Sequence, residues 1–212
     1  MIYNKRDLKF YIAADRIMNG FAEKPTIKEL FINFLDRPVG GAIISYLSAM
    51  RHYAYYRNNY KRKISINSLK MAWWHRRWNI MGLKLGFSIG ANTLGYGAVI
   101  PHHGPIIINS AVKIGNFSVL HTCTCIAGGD KTIGDYFYFS TGSQVVGKLT
   151  LGDGITIAAH SLVNKTSECN CLLAGAPAVV KRIDYPLWIE NSKYKERVEK
   201  VNKIKKKIFN NV

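Results

Sequence analysis

The sequence is poor in acidic residues. Thirteen Asp and Glu stand against thirty Lys and Arg, which gives a formal net charge of +17. No Asp or Glu occurs between Asp36 and Asp130. This balance favours acidic partners, namely nucleic acid, an anionic membrane surface or a phosphorylated ligand, and charge alone does not choose among them.

Long apolar runs are also lacking. The longest one, residues 39–50, has twelve residues, whereas a membrane-spanning helix needs about twenty. The first ten residues are charged and polar, so we expect no secretory signal. Together these features predict a cytoplasmic protein that can rest on a membrane without crossing it.

Cysteine motifs typical of metal or redox sites are missing. The four cysteines form two C-x-C pairs, Cys123 with Cys125 and Cys169 with Cys171, instead of the C-x-x-C spacing of zinc ribbons and redox sites. Residues i and i+2 of a strand share a face, so each pair points one way. We therefore predict reduced, partly buried cysteines and no metal site.

The composition divides the chain into three regions. Residues 1–85 show helical spacing of apolar residues and are rich in aromatic and basic side chains. Residues 86–183 are rich in Gly, Ile, Val, Ser and Thr, which is typical of short strands and tight turns. Residues 184–212 form a Lys-rich tail that is predicted to be an amphipathic helix.

The middle region carries a six-residue repeat of apolar residues. With one extra residue before the fourth, nine successive positions are apolar: Ile114, Leu120, Ile126, Ile133, Phe139, Val145, Leu151, Ile157 and Val163. Upstream, Ile89, Leu94 and Ile100 join the pattern, with a slip expected at residues 106–108. Small residues often follow the apolar one, as at Gly115 and Gly134.

This repeat predicts a parallel β-helix of triangular cross-section. Each hexapeptide supplies one short strand and one tight corner, and three of them make a coil of about eighteen residues. The apolar residue fills the narrow interior, and stacked coils share one continuous core. Known hexapeptide solenoids are left-handed, so we predict a mainly β fold, a left-handed parallel β-helix between an α-helical N-terminal region and a C-terminal helical tail.

Several segments of this region resemble a known family. They include H-H-G-P-I-I at 102–107, V-K-I-G-N at 112–116 and L-A-G-A-P-A at 173–178. On these motifs the chain resembles the hexapeptide-repeat acyltransferase superfamily, and within it the serine-acetyltransferase-like enzymes often found in polysaccharide and capsule biosynthesis. The resemblance implies a homotrimer with active sites between neighbouring β-helices, acetyl-CoA as donor and a hydroxyl group as acceptor.

The resemblance places a general base at His102, the start of the H-x-G-P-I motif. A neutral imidazole suits removal of a hydroxyl proton, and an activated thioester requires neither a covalent intermediate nor a metal. His121 lies nineteen residues later, about one coil away, and we expect it to bind the acceptor or act as a second base. The alternative for His102 is a structural role in a loop.

The resemblance also implies the residues that hold coenzyme A. The matching positions are Thr141, Ala159, Asn164, Lys165 and Arg182. The small Ala159 lets the pantetheine arm lie against the backbone, and Lys165 and Arg182 suit phosphate groups. The alternative for both cations is a solvated surface charge.

The identity of the acceptor is inferred from a position at which this chain departs from the family pattern. Serine acetyltransferases carry an acceptor-binding Asp where this chain has Phe87, which favours a hydroxyl of a sugar or polysaccharide over free serine. Serine O-acetylation is the alternative; a zinc lyase of the γ-carbonic-anhydrase type and a non-catalytic β-helix are less favoured.

No nearby acid can orient His102, so a backbone carbonyl, Asp130 or Asp135 from another coil or subunit is expected to do so.

The stretch at 53–78 mixes cations with aromatic residues. This composition is compatible with nucleic-acid binding, with contact to an anionic membrane, or with a helical unit packed on the first coil. We favour packing, with Trp73, Trp74 and Trp78 buried, and expect no nucleic-acid partner. Peripheral membrane contact would fit a lipid-linked glycan acceptor.

Overall fold

The computed structural model of this protein describes residues 1–36, 38–61, 63–168 and 170–210. Cys169, one of the predicted C-x-C cysteines, Arg62 within the basic aromatic stretch, and the last two residues of the predicted tail lie outside the described residues.

The N-terminal region is helical, as predicted. Its helices are α1 (Lys5–Met18), α2 (Ile27–Leu35), α3 (Val39–Asn58) and α4 (Ile66–Leu85). Gly86 ends α4 in the left-handed conformation that glycine adopts without steric cost. The chain enters its first strand at the next residue.

The strands from Phe87 to Ile183 form a parallel β-solenoid with three faces. The first face contains β1 (Phe87–Ile89), β2 (Ile106–Ile108), β5 (Thr124–Ile126), β8 (Gln144–Val145) and β11 (Leu162–Val163). The second face contains β3 (Lys113–Ile114), β6 (Thr132–Ile133) and β9 (Thr150–Leu151). The third face contains β4 (Val119–Leu120), β7 (Tyr138–Phe139), β10 (Thr156–Ile157), β12 (Cys171–Gly175) and β13 (Ala178–Ile183). Strands β12 and β13 pair antiparallel.

The repeat positions fill the interior of the solenoid. All nine residues of the predicted apolar series are buried, and so are Ile89, Leu94 and Ile100 upstream of it. The prediction of a parallel β-helix is therefore confirmed. Its boundaries as a domain, 86 and 183, stay predictions, although α4 ends at Leu85 and β13 at Ile183.

The expected slip is located differently in the structure. Residues 106–108 form the regular strand β2, paired in register with β1 and β5. Val99 pairs with Val119 and Ile106 with Thr124, so the six residues between these pairs in one coil match four in the next. The two additional residues therefore lie in the corner at 101–105, before β2, because a corner can lengthen without disturbing strand pairing.

Helices α3 and α4 cover the open end of the solenoid. Tyr46 and Leu47 of α3 and Leu85 of α4 join the same apolar core as Ile89 and Leu94 of the first coil. A solenoid end exposes interior side chains unless another element covers it, which explains why an apolar helix pair precedes the first coil.

Tryptophan burial differs from the prediction. Trp74 stacks on His52 and Trp78 stacks on Tyr53, both in α3. Trp73 is 54% exposed, so its predicted burial is wrong. It lies on the side of α4 that faces away from α3.

A buried ion pair ties the helices to the first coil. Arg51 of α3 donates from Nε to Asp15 of α1 at 2.8 Å and from Nη1 to the carbonyl of Leu94 at 2.6 Å. Asp15 Oδ1 accepts the backbone N–H groups of Gly97 and Ala98. The charges satisfy each other and also backbone groups that would otherwise lack partners.

The C-terminal tail packs back onto the solenoid. Helix α5 (Ser192–Phe209) places Val198 and Val201 in one cluster with Phe10 of α1 and Val99 of the third face. Arg197 donates to the carbonyl of Met18 at 2.7 Å. The predicted helix is thus present, and it lies beside α1 along the third face.

Among the described residues, none of the helices combines the length and apolar character needed to cross a bilayer.

The Asp15–Arg51 pair gives a stability prediction. Asp15→Ala leaves the guanidinium buried without its partner, and we expect the free energy of unfolding to fall by about 3–5 kcal/mol. Asp7→Ala, which removes only the carboxylate that accepts the Asn4 N–H in the capping box of α1, should cost about 1 kcal/mol. Urea unfolding at one protein concentration measures both, and equal losses would contradict the assigned role of the pair.

Candidate functional site

Four corners stack between the third and the first face. They comprise residues 101–105, 121–123, 140–142 and 158–160, and we call this line of corners the histidine edge. Backbone hydrogen bonds join them along the axis: Gly142 N donates to Thr122 O, and His160 N donates to Thr141 O. Their side chains are thereby held at a fixed spacing of one coil.

His102 lies in the longest of these corners. The two additional residues belong to this corner, and the side chains of His102 and His103 are both exposed. Gly104 has φ +128 and approaches the Thr122 side chain so closely that a Cβ would overlap it. The glycine therefore lets the extended corner rest on the one below.

His121 occupies the next corner and is partly buried. Its Nε2 and the Tyr138 hydroxyl are hydrogen-bonded at 2.8 Å. Burial lowers the pKa of His121 below its usual value, and the charge of His102 lowers it further. The imidazole is therefore neutral at neutral pH. The corner of His102 stacks on the corner of His121, since the residues on either side of the two corners are paired, Val99 with Val119 and Ile106 with Thr124.

Tyr138 is a residue of the site that sequence analysis missed. It immediately precedes the interior Phe139, so its side chain points outward from β7. Burial raises its pKa, with smaller contributions from Tyr194 and Tyr185 of the C-terminal segment. The only sequence signal was its position next to a repeat residue, seventeen residues after His121.

The tail borders the histidine edge. A cavity beside Pro101 is lined by Lys193, Tyr194 and Arg197 of α5 together with Asn19, which follows α1. The sequence marked these residues only as part of a basic tail. Folding brings two of its cations next to the corner that carries His102.

The carboxylates considered for orienting His102 lie at other edges. Asp135 follows β6, where it accepts hydrogen bonds from the backbone and side chain of Asn116. Asp130 lies between β5 and β6. Neither residue is at the histidine edge of its own chain, so orientation by an acid from a neighbouring subunit or by a backbone carbonyl stays a prediction.

Two predicted coenzyme residues lie on the histidine edge. Thr141 and Ala159 occupy its third and fourth corners, and Ala159 is exposed. His160 follows with φ 54, and its ring lies so close to Gly142 that a Cβ at 142 would overlap it. In the coils that follow those of His102 and His121, the histidine edge therefore carries the Thr141 hydroxyl and the small Ala159 side chain.

The other three predicted coenzyme residues lie elsewhere. Asn164 and Lys165 follow β11 and are exposed at the corner that leaves the first face. Arg182 lies on β13, opposite Leu172, with its guanidinium 5.7 Å from the ring centroid of Tyr185. Within one chain the structure therefore brings together His102, His121, Thr141 and Ala159.

Phe87 is a packing residue in this fold. It begins β1, is buried, and contacts Tyr46 of α3 with ring centroids 5.1 Å apart. Its side chain is thus part of the core under the His102 corner, not of the surface that an acceptor would reach. Within the described residues, no three His, Cys, Asp or Glu side chains are grouped to hold a metal ion.

The proximity of the two histidines can be tested by titration. His102→Gln removes the positive charge that opposes protonation of His121, so the pKa of His121 should rise while burial still keeps it below the usual value. NMR titration of the imidazole signals measures this shift. His103→Gln, the neighbouring exposed histidine, serves as control and should leave the His121 pKa unchanged; a similar shift in both variants would refute specific coupling to His102.

Comparisons of the sequence find relatives of one kind. No family model matches the chain. Serine acetyltransferase 2 of Arabidopsis thaliana is 27% identical over 162 residues, covering 67% of this chain and 47% of the relative. Serine acetyltransferase 4 of the same plant is 24% identical over 204 residues, covering 79% and 55%. The chain thus spans about half the length of the curated relatives it matches.

Comparisons of the structure agree. Serine acetyltransferase from Neisseria gonorrhoeae superimposes with a TM-score of 0.60 and 17% identity, covering 86% of this chain and 69% of the other. A serine acetyltransferase in complex with CoA gives a TM-score of 0.56 and 18% identity, covering 80% and 67%. Sequence and fold together therefore confirm that the chain resembles the serine-acetyltransferase-like group of the hexapeptide-repeat acyltransferases.

Proposed function

We propose that this protein is an acetyl-CoA-dependent O-acetyltransferase whose reaction takes place at the histidine edge. The observation that carries the proposal is the stacking of His102 on the corner of the neutral His121, in line with Thr141 and Ala159. The likeness to serine acetyltransferases supports the same reaction class.

In the proposed reaction His102 is the general base. Its neutral imidazole accepts the acceptor's hydroxyl proton as the oxygen attacks the thioester carbonyl carbon of acetyl-CoA. The tetrahedral intermediate then expels the CoA sulfur, which takes the proton from the imidazolium. One C–O bond forms and one C–S bond breaks, and His102 returns to its neutral form.

His121 has a supporting part in this proposal. The Tyr138 hydroxyl fixes the orientation of its ring, and its low pKa keeps it neutral beside His102. A neutral imidazole there binds the acceptor hydroxyl without placing a second positive charge next to the imidazolium that forms at His102.

We assign coenzyme binding to five residues. Ala159 leaves room for the pantetheine arm, and Thr141 can bond to its amides. Asn164, Lys165 and Arg182 would bind the phosphate end. The last three lie away from the histidine edge of their own chain, which fits a homotrimer in which one coenzyme contacts two neighbouring β-helices.

The acceptor we propose first is serine. Serine acetyltransferases recur in both comparisons, whereas the sugar or polysaccharide hydroxyl expected from Phe87 receives no support from them. Phe87 lies in the core, so a charged side chain at position 87 would not contact an acceptor in this fold. The cations beside Pro101, Lys193 and Arg197, suit the carboxylate of an amino acid.

A cytoplasmic location is part of the proposal. The positions of Cys123, exposed, and Cys125, half-buried, suit a compartment in which thiols stay reduced.

The role of His102 is tested by activity. His102→Ala should lower kcat by about 10²–10⁴-fold, the usual contribution of a general base. His103→Ala, the adjacent and equally exposed histidine, should retain activity within a few-fold. Release of free CoA thiol is followed with L-serine, with sugars and nucleotide sugars, and without acceptor.

The same assay decides the acceptor. Turnover with L-serine and not with sugars supports the proposal, and turnover with sugars and not with L-serine favours the sugar acceptor.

If the kcat of both variants, His102→Ala and His103→Ala, equals that of the unmodified protein, His102 has no part in the mechanism.

The coenzyme assignment is tested at Lys165. Lys165→Gln should raise the KM for acetyl-CoA about tenfold with kcat nearly unchanged, because a lost phosphate contact weakens ground-state binding. Lys9→Gln, an exposed lysine of α1, is the matched control and should have no effect. An unchanged KM in Lys165→Gln would show that this cation is only a surface charge.

A further inference from the structure

Helix α2 is apolar yet lies on the surface. All nine of its residues are described, and none of them is buried. Its large apolar side chains are all substantially exposed: Ile27, Leu30, Phe31, Ile32, Phe34 and Leu35. Phe34 is 85% exposed. A helix of this composition would normally bury one face, so the exposed face is unusual for a protein surface.

Helix α4 carries a second exposed apolar surface. Ile66, Leu69, Trp73, Ile80 and Leu83 are all exposed. Their spacing of three, four, seven and three residues keeps them on one side of the helix. We call these five residues the α4 stripe. It lies on the side of α4 away from α3. Helix α4 contacts α3 through Trp74, Trp78 and Met81.

The two surfaces are neighbours. Leu30 and Asn33 of α2 line one cavity together with Trp74 and Arg77 of α4. Arg77 also lies over the ring of Trp73, 5.6 Å from its centroid. The exposed side chains of α2 and the α4 stripe therefore belong to the same side of the helical region.

The charge beside the α4 stripe has one sign. Between Arg57 and Lys84 the sequence has eight Lys and Arg and no Asp or Glu. Lys70, Arg76 and Lys84 are exposed on α4 beside the stripe. The acidic residue of α2, Glu29, is paired with Arg16 at 2.6 Å, so its charge is neutralised.

From these observations we propose that α2 and the α4 stripe dock on an anionic lipid bilayer. Apolar side chains enter the acyl boundary, Trp73 lies at the interface, and the surrounding Lys and Arg contact lipid phosphates. A second copy of the same surface would bring cations against cations, which opposes self-association through it. Most of the stripe is aliphatic and cannot stack on bases, which argues against nucleic acid.

Docking on this surface orients the whole molecule. The helices cover the first coil, which contains the corner with His102, so a bilayer under α2 and α4 lies nearer to His102 than to Ala159 and His160. The inference concerns where the protein works, and it does not depend on which acceptor it uses.

The experiment uses the full chain and vesicles of known composition. Co-sedimentation is measured with phosphatidylcholine vesicles and with vesicles containing about one quarter phosphatidylglycerol, at low salt and at about 0.5 M salt. We expect binding to the anionic vesicles at low salt and a blue shift of tryptophan emission. High salt should weaken the binding, because it screens the contribution of the cations.

A matched pair of variants assigns the surface. Leu69→Glu combined with Leu83→Glu should lower binding at least about tenfold, since both side chains leave the lipid and two charges oppose it. Ile183→Glu on β13 is the control: Ile183 is 64% exposed and Leu69 is 63% exposed, so the control makes one of the two changes at the same degree of exposure. Circular dichroism confirms that both variants are folded.

Each other outcome overturns the proposal. Absence of binding to anionic vesicles at low salt refutes it outright. Equal loss in Ile183→Glu would mean that the surface is not the one assigned. Binding to single-stranded RNA in place of vesicles would identify a nucleic-acid surface, and a change in oligomeric state in Leu69→Glu/Leu83→Glu by light scattering would identify an interface between copies.

Discussion

Each face of a triangular coil points its repeat side chain into one narrow shared interior, and the rest of this structure follows from that restriction. Ile114, Leu120 and Ile126 fill one such layer, and Ile133, Phe139 and Val145 fill the next. Because each layer must be apolar and of similar size, the six-residue spacing cannot drift along the strands. Any change in length has to be placed at a corner.

Corners are accordingly where this fold acquires chemistry. Gly104, Cys123, Gly142 and His160 occupy the same corner of four coils, and all four have positive φ. The backbone turns there in a conformation that costs a non-glycine residue some free energy. The corner at 101–105 is two residues longer than the corner in the next coil, and the strands on either side keep their register. His102 and His103 lie in this longer corner and are exposed. A rigid stack thus supports a short, outward-facing functional segment.

The helices complete the solenoid at its first coil and along its third face. Arg51 and Asp15 join two helices to the backbone of the first coil, while α5 returns beside α1. Together they leave the histidine edge open between the covered third face and the first face. Two of the places where positive charge accumulates are the exterior of α4 and the tail helix beside Pro101. These two surfaces suit different anionic partners, a bilayer and a small acceptor.

The sequence alone determined the architecture, because apolar residues that recur at every sixth position are all buried together only when the chain coils with three such positions to a turn. It also marked His102, His121, Thr141 and Ala159, which the solenoid register places on one edge because they are separated by about one coil. Tertiary structure decided what depends on contacts distant in the chain. Tyr138 meets His121, Arg197 reaches Met18, Phe87 is buried under Tyr46, and Trp73 is exposed. No local pattern encodes these outcomes, since each depends on how elements that are distant in the chain pack against one another.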